Sequence, residues 1–209
     1  MCSDFSPDGS NNEAGVGRLR ISVLGWGSIV WDRRDLAIAA NFEPTGPRLP
    51  VEFCRVSRDG RLTLVIDEAL GVPCITYSAV SDFDNLLGAI ENLRDRENMP
   101  NVRGVGFTIP SCDKQSVRAA ERHAQTVKTI SAWANAKGFD AAIWTALESN
   151  FAKKANAPFS VKAVIRYLEK RDAKILDATL TYVRMAPPEV QTPVRLAINT
   201  RWPETSDFQ

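Results

Sequence analysis

The stretch Arg20-Ile21-Ser22-Val23-Leu24-Gly25-Trp26-Gly27-Ser28-Ile29-Val30-Trp31 decides how the chain is read. Arg20–Leu24 is a short β run, and Gly25 and Gly27 end it. A strand followed by Gly-x-Gly invites a dinucleotide-binding reading. That fingerprint needs a third glycine where Val30 stands, and an apolar helix face where Trp31-Asp32-Arg33-Arg34-Asp35 follows. Both requirements fail, and a nicotinamide-dependent oxidoreductase is not expected. The physical content survives: glycines flanking one residue after a strand let backbone N–H groups point into a cavity, and such a nest binds anions. The alternative is an ordinary glycine turn with Trp26 and Trp31 packed in the core.

Working outward, strand signals fill the first half of the chain. Val51–Ser57 and Leu62–Asp67 flank Asp59-Gly60, a hairpin turn signal. Cys74–Val80, Val102–Ile109 and Ala141–Leu147 add further strands. The stretch Arg103–Ile109 looks like an RNA-recognition strand, yet Val105 and Pro110 stand where stacking aromatics are needed, so it reads as core. Helices are expected at Asp82–Glu97 behind an Ser81 cap, and at Ser116–Lys137 stopped by Gly138. Two more follow, Val161–Lys170 capped by Ser160 and Ala173–Met185 ending before Pro187-Pro188. Strands early and helices late argue an α+β fold with a largely antiparallel or mixed sheet. Residues 1–17, rich in Ser, Asn, Asp and Gly, predict a disordered tail, 18–202 one globular domain, and 203–209 a second tail.

Composition narrows the chemistry. With 26 basic and 25 acidic residues in 209, no charge excess marks the chain for nucleic acid or a membrane surface. A single histidine, His123, makes a histidine-rich metal site impossible and leaves any histidine-base scheme resting on one residue. Cys2, Cys54, Cys74 and Cys112 are too widely spaced for a zinc knuckle or a thioredoxin-like pair. No run approaches the ~18 apolar residues of a membrane span, and the expected setting is a reducing cytoplasm. Carboxylates, backbone amides or arginines are left to do the work, with no metal or cofactor.

The Asp82–Glu97 helix offers the carboxylate. At about 100° per residue, Phe83, Leu86, Leu87, Ile90 and Leu93 share one face, and Glu97 falls inside it, whereas Glu91 and Asp95 do not. Burying a carboxylate is expensive, and desolvation pushes its pKa toward the range useful for proton transfer. The alternative is a helix frayed by Glu97, with the side chain in solvent or paired with Arg94 or Arg103. His123 lies near the edge of a Val117, Ala120, Ala124, Val127 stripe and reads as a packing residue. Glu148-Ser149-Asn150 reads as a helix-start cap, and Lys153-Lys154 as solvated surface.

Taken together, Gly25–Trp31, Phe53-Cys54-Arg55-Val56-Ser57 and Leu93-Arg94-Asp95-Arg96-Glu97 resemble the γ-glutamylcyclotransferase-like family, which also holds the ChaC-type glutathione-degrading enzymes. The family's Tyr-Gly-Ser-Leu-like loop is matched by Trp26-Gly27-Ser28-Ile29, with Trp26 in the tyrosine's place, and its catalytic glutamate by Glu97. The likeness covers about residues 20–110. It implies a small mixed β-barrel of about six strands with flanking helices, the core in 18–138, and 139–202 as a C-terminal strand and helical extension. It also implies that Trp26, Gly27, Ser28 and Ile29 bind a small γ-glutamyl or amino-acid-like substrate, with Arg55 as an anion contact. Glu97 would act as general acid/base in cyclisation to 5-oxoproline. Such a ring closure is intramolecular, so it asks mainly for a folded substrate, one base and N–H donors. A non-catalytic module that keeps the pocket, binding a small ligand or a protein, is the second expectation.

Overall fold

A computed structural model describes residues 18–204; the expected tail at 1–17 and residues 205–209 lie outside it. The described chain is α+β, with seven α-helices and eight strands in two sheets. The first sheet runs in the order β5 (Tyr77–Val80), β1 (Ile21–Gly25), β8 (Ala141–Thr145), β6 (Val105–Ile109) and β7 (Lys114–Gln115). It is mixed: β1 and β8 are parallel, with Ile21 opposite Ala141, and the other pairs are antiparallel. The second sheet is antiparallel, with β2 (Arg48–Val56) between β3 (Leu62–Ile66) and β4 (Val72–Ile75). Gly60 closes the β2–β3 hairpin at φ +89°, a conformation that explains the glycine of the Asp59-Gly60 signal.

Neither sheet closes into the expected six-strand barrel. The expected strand Cys74–Val80 divides at Thr76, whose amide and hydroxyl both donate to the carbonyl of Pro47 instead of to a ladder neighbour. β4 therefore stays with the second sheet while β5 joins β1 in the first, and β3 is left as an edge.

Strand alternation distributes the core over two faces of the first sheet. Ile21, Val23, Ala141 and Ile143 face one side, where Leu86, Ala89, Ile90 and Leu93 of α1 (Leu86–Arg96) cover them. Leu24, Ala142 and Trp144 face the other, against Val127, Ile130 and Ala134 of α3 (Ala124–Ala136) and the second sheet. Helix α1 starts at an Asn85 cap, which accepts from the Gly88 amide, and not at Ser81. Leu87 is consequently 55% exposed and belongs to the outer face, while Ala89 and Arg96 belong to the buried one. The expected helix Ser116–Lys137 breaks at His123 into α2 (Val117–Arg122), lying on β6, and α3, which also reaches β8 and β2. His123 is buried at that break, as its packing role requires, whereas Val117 is exposed.

The C-terminal helices complete the second core. Helices α4 (Phe151–Ala155), α5 (Val161–Glu169), α6 (Ala173–Met185) and α7 (Pro193–Arg201) gather over β2 and β3. The start of α4 falls where the Glu148-Ser149-Asn150 cap signal placed it, whereas α7 was not anticipated, although Thr192-Pro193 is a cap followed by proline at the first helical position. A bulge in β2 between Glu52 and Arg55 locks α7 in place. The buried Glu52 carboxylate accepts from the Phe53 amide at 2.7 Å and from the Thr192 hydroxyl at 2.5 Å. Arg195 then ties the connection from α6 together by donating to the carbonyls of Ala186, Pro187 and Val190. Cys54 and Cys74 are buried as expected, and burial pushes the Cys54 thiol up to about 12. No described helix is long and apolar enough to cross a membrane.

Candidate functional site

The site forms where β1 and β8, running in parallel, reach their C-terminal ends. After Gly25 the chain makes a tight turn and a single 3-10 turn, Ser28–Val30, with the Val30 amide bonded to the Gly27 carbonyl. No α-helix opens at Gly27, which removes the dinucleotide-binding geometry. Gly27 is needed for space: an added Cβ would lie 2.5 Å from the Tyr182 hydroxyl.

Glu97 is delivered by the C-terminus of α1, and the helix has not frayed there. The Asn98 amide bonds to Asp95 and the Met99 amide to Arg94, while Asn98 adopts φ +50°. This left-handed turn fixes Glu97 as the C-cap of the helix. Its partner is Arg96, and neither Arg94, which pairs with Asp95, nor Arg103. The Arg96 side chain is only 2% exposed; it donates to Glu97 Oε1 at 2.5 Å and to the carbonyl of Asp32. The Glu97 side chain is 21% exposed. One buried guanidinium thus fastens the carboxylate to the segment that follows the glycine loop.

Two adjoining cavities bring the predicted residues together. A small inner chamber of about 50 Å³ is lined by Trp26, Gly27, Ser28, Ile29 and Glu97, among others. An outer cavity of about 480 Å³ holds Ser28, Glu97 and Arg55 on its walls. Ser28, Leu64, Glu97, Thr145 and Tyr182 belong to both. The outer wall also carries Arg58 and Arg61 of the β2–β3 hairpin, so three arginines face two carboxylates, Asp59 and Glu97. Arg55 donates to the Glu148 carbonyl at 2.6 Å, which holds its stem against the loop after β8.

Sequence reasoning missed Leu64, Thr145 and above all Tyr182, which arrives from α6. Its ring stands edge-on to Trp31 at 5.5 Å and to Phe53 at 6.2 Å, with the Arg61 guanidinium 4.9 Å above it. Burial pushes the phenol above its ordinary pKa, and the nearby Glu97 charge adds to the rise.

The remaining candidates lie elsewhere. His123 is remote from these walls and neither ring nitrogen has a hydrogen-bond partner. Asn150 is the N-cap residue of α4, as expected, but its side chain makes no capping bond; it instead accepts from the Val56 amide and donates to the Val56 carbonyl, and Ser149 donates to the Cys54 carbonyl. A separate cavity of about 550 Å³ between Ile90, Val105, Phe107 and Arg118 contains none of the candidate site residues. Among the described residues no three His, Cys, Asp or Glu side chains are grouped to ligate a metal ion. Compared with protein-family models, curated proteins and solved structures, the chain gives no significant match.

Proposed function

We propose that the protein cyclises a γ-glutamyl amide to 5-oxoproline and a free amine, with Glu97 as general acid/base. One observation carries this reading. Glu97 and the Trp26–Ile29 loop, distant in sequence, line one chamber, and the carboxylate there is fastened through a single oxygen by Arg96. In the reaction the neutral α-amine of the substrate attacks its own γ-carbonyl carbon. The amine's proton passes to Glu97 and from there to the departing nitrogen as the amide C–N bond breaks. The outer cavity supplies the room, since the inner chamber is no larger than one or two waters. Holding the substrate bent is the main task, because an intramolecular attack is already effectively concentrated.

The test is release of 5-oxoproline from glutathione and from a panel of γ-glutamyl amines, with Glu97→Gln beside the parent and circular dichroism to show that both are folded. Turnover in the parent and a loss of about 100-fold or more in the variant are expected. A fully active Glu97→Gln protein ends the assignment of Glu97, and a parent that turns over no member of the panel ends the reaction class. Binding without product would instead support the reading as a non-catalytic module, which the arginine-lined outer cavity also accommodates.

A further inference from the structure

We propose that the Tyr182 hydroxyl is a catalytic hydrogen-bond donor to the substrate's reacting carbonyl oxygen. The inference rests on the cyclisation reading above and adds a residue from the C-terminal helices to its machinery.

The argument begins with where the hydroxyl is and why it stays there. The ring is held on three sides by Trp31, Phe53 and the Arg61 guanidinium, so it cannot swing without opening the core. At its tip the hydroxyl takes up the space that a side chain at Gly27 would need. Tyr182 lies on the wall shared by the inner chamber and the outer cavity, together with Ser28 and Glu97.

A protonated phenol has one hydrogen to give. Its proton is retained through the neutral range, because burial holds the group above its ordinary pKa. When the α-amine attacks, charge develops on the γ-carbonyl oxygen, and a donor already oriented toward that point stabilises it without reorganisation.

Tyr182→Phe removes the oxygen and keeps the ring contacts. In the full chain the variant is expected to retain its thermal midpoint within a few degrees and to lose about 100-fold in kcat, with KM changed by no more than a few-fold. A ring-fluorinated tyrosine at position 182, a more acidic donor of nearly the same shape, should restore most of the loss; packing alone would not distinguish it from Phe. Binding supplies an arm that does not need turnover: affinity for L-glutamate and 5-oxoproline, measured by calorimetry, should fall about ten-fold in Tyr182→Phe. A variant with parental kcat and parental affinity overturns the role of Tyr182 and leaves the cyclisation reading standing. Tyr182-dependent binding with no turnover by the parent overturns cyclisation and keeps Tyr182 as the ligand's donor. A parent that neither binds nor turns over these compounds overturns both.

Discussion

Replacing Arg96 by methionine tests whether Glu97 is held or merely nearby. The side chain is 2% exposed, and its guanidinium makes two bonds across the site, to Glu97 Oε1 and to the carbonyl of Asp32. Hydrogen bonds to charged groups contribute about 1.5–3 kcal/mol each, and breaking a fully buried ion pair costs about 3–5 kcal/mol. The Arg96→Met cost should fall below the sum of these. Glu97 is 21% exposed and can be rehydrated through the cavity, and the methionine stem restores part of the apolar packing. A loss of about 2–3 kcal/mol follows. Urea unfolding followed by tryptophan fluorescence reads it, provided the slope with denaturant is unchanged between parent and variant. The cycle with Glu97→Gln is the sharper measurement: one change removes the guanidinium and the other the carboxylate charge it meets, so their costs should fail to add by about 1–2 kcal/mol. With its anchor gone, Glu97 should also deliver about ten-fold less 5-oxoproline release. A loss under about 0.5 kcal/mol, or strict additivity, would refute the idea that Arg96 positions the carboxylate.

Two further outcomes test the surroundings. His123 is 4% exposed and burial holds its pKa below the ordinary value, so the folded state resists protonation. Below about pH 6.5 the unfolded chain binds a proton that the folded one does not, and stability should fall by about 1.4 kcal/mol per pH unit until the folded pKa is passed. His123→Leu should remove that slope and, by deleting two unpartnered nitrogens, stabilise the protein at pH 7.5 by about 1 kcal/mol; equal slopes between pH 5 and 6.5 in both proteins would sink the argument. Gly27→Ala places a methyl 2.5 Å from the Tyr182 oxygen and should cost about 1–3 kcal/mol, with about 1 kcal/mol recovered in a Tyr182→Phe background. Denaturation midpoints of the four proteins decide it, and an unrelieved cost would show that the loop, and not the hydroxyl, is the obstacle.

The fold was legible wherever one period governed a whole segment. Ile21, Val23 and Leu24 fall on alternating faces of β1 as a strand demands, and α6 spans Ala173–Met185 as expected, ending before the Pro187-Pro188 pair. It was illegible where tertiary partners divide a segment that is locally uniform. Nothing in Cys74–Val80 announces that Thr76 will give its hydrogen bonds to Pro47 and hand the strand from one sheet to the other. His123 interrupts a run of good helix formers because α2 stays on β6 while α3 reaches beyond it to β8 and β2. The start of α1 was misplaced for a local reason. Ser81 and Asn85 are both cap residues, and Ser81 spends its hydroxyl on the Phe83 amide instead.

The site divides along the same line. Glu97 was readable from phase, since it falls between Leu86 and Ile90 on the helix circle, and the Asn98 cap keeps it on that phase to the end. Its true partner was not, because Arg96 is its immediate neighbour and i,i+1 side chains on a helix do not ordinarily meet; they do so here because the helix ends between them. Tyr182 was the harder case. On α6 it sits among Thr179, Leu180 and Val183 as one more residue of a buried face, and periodicity cannot say that its hydroxyl emerges on the far side of the core. The trace it left in the sequence is at Gly27. That glycine has φ −125°, so it does not serve the left-handed conformation that usually justifies one. A glycine with no positive φ beside a candidate pocket implies that something approaches where a side chain would be. Finding what approaches required the fold, because the approaching group comes from the region that the resemblance leaves uncovered. The one-histidine composition and the glycine loop point to carboxylate chemistry, and the C-terminal helices bring to it the phenol that composition alone could not place.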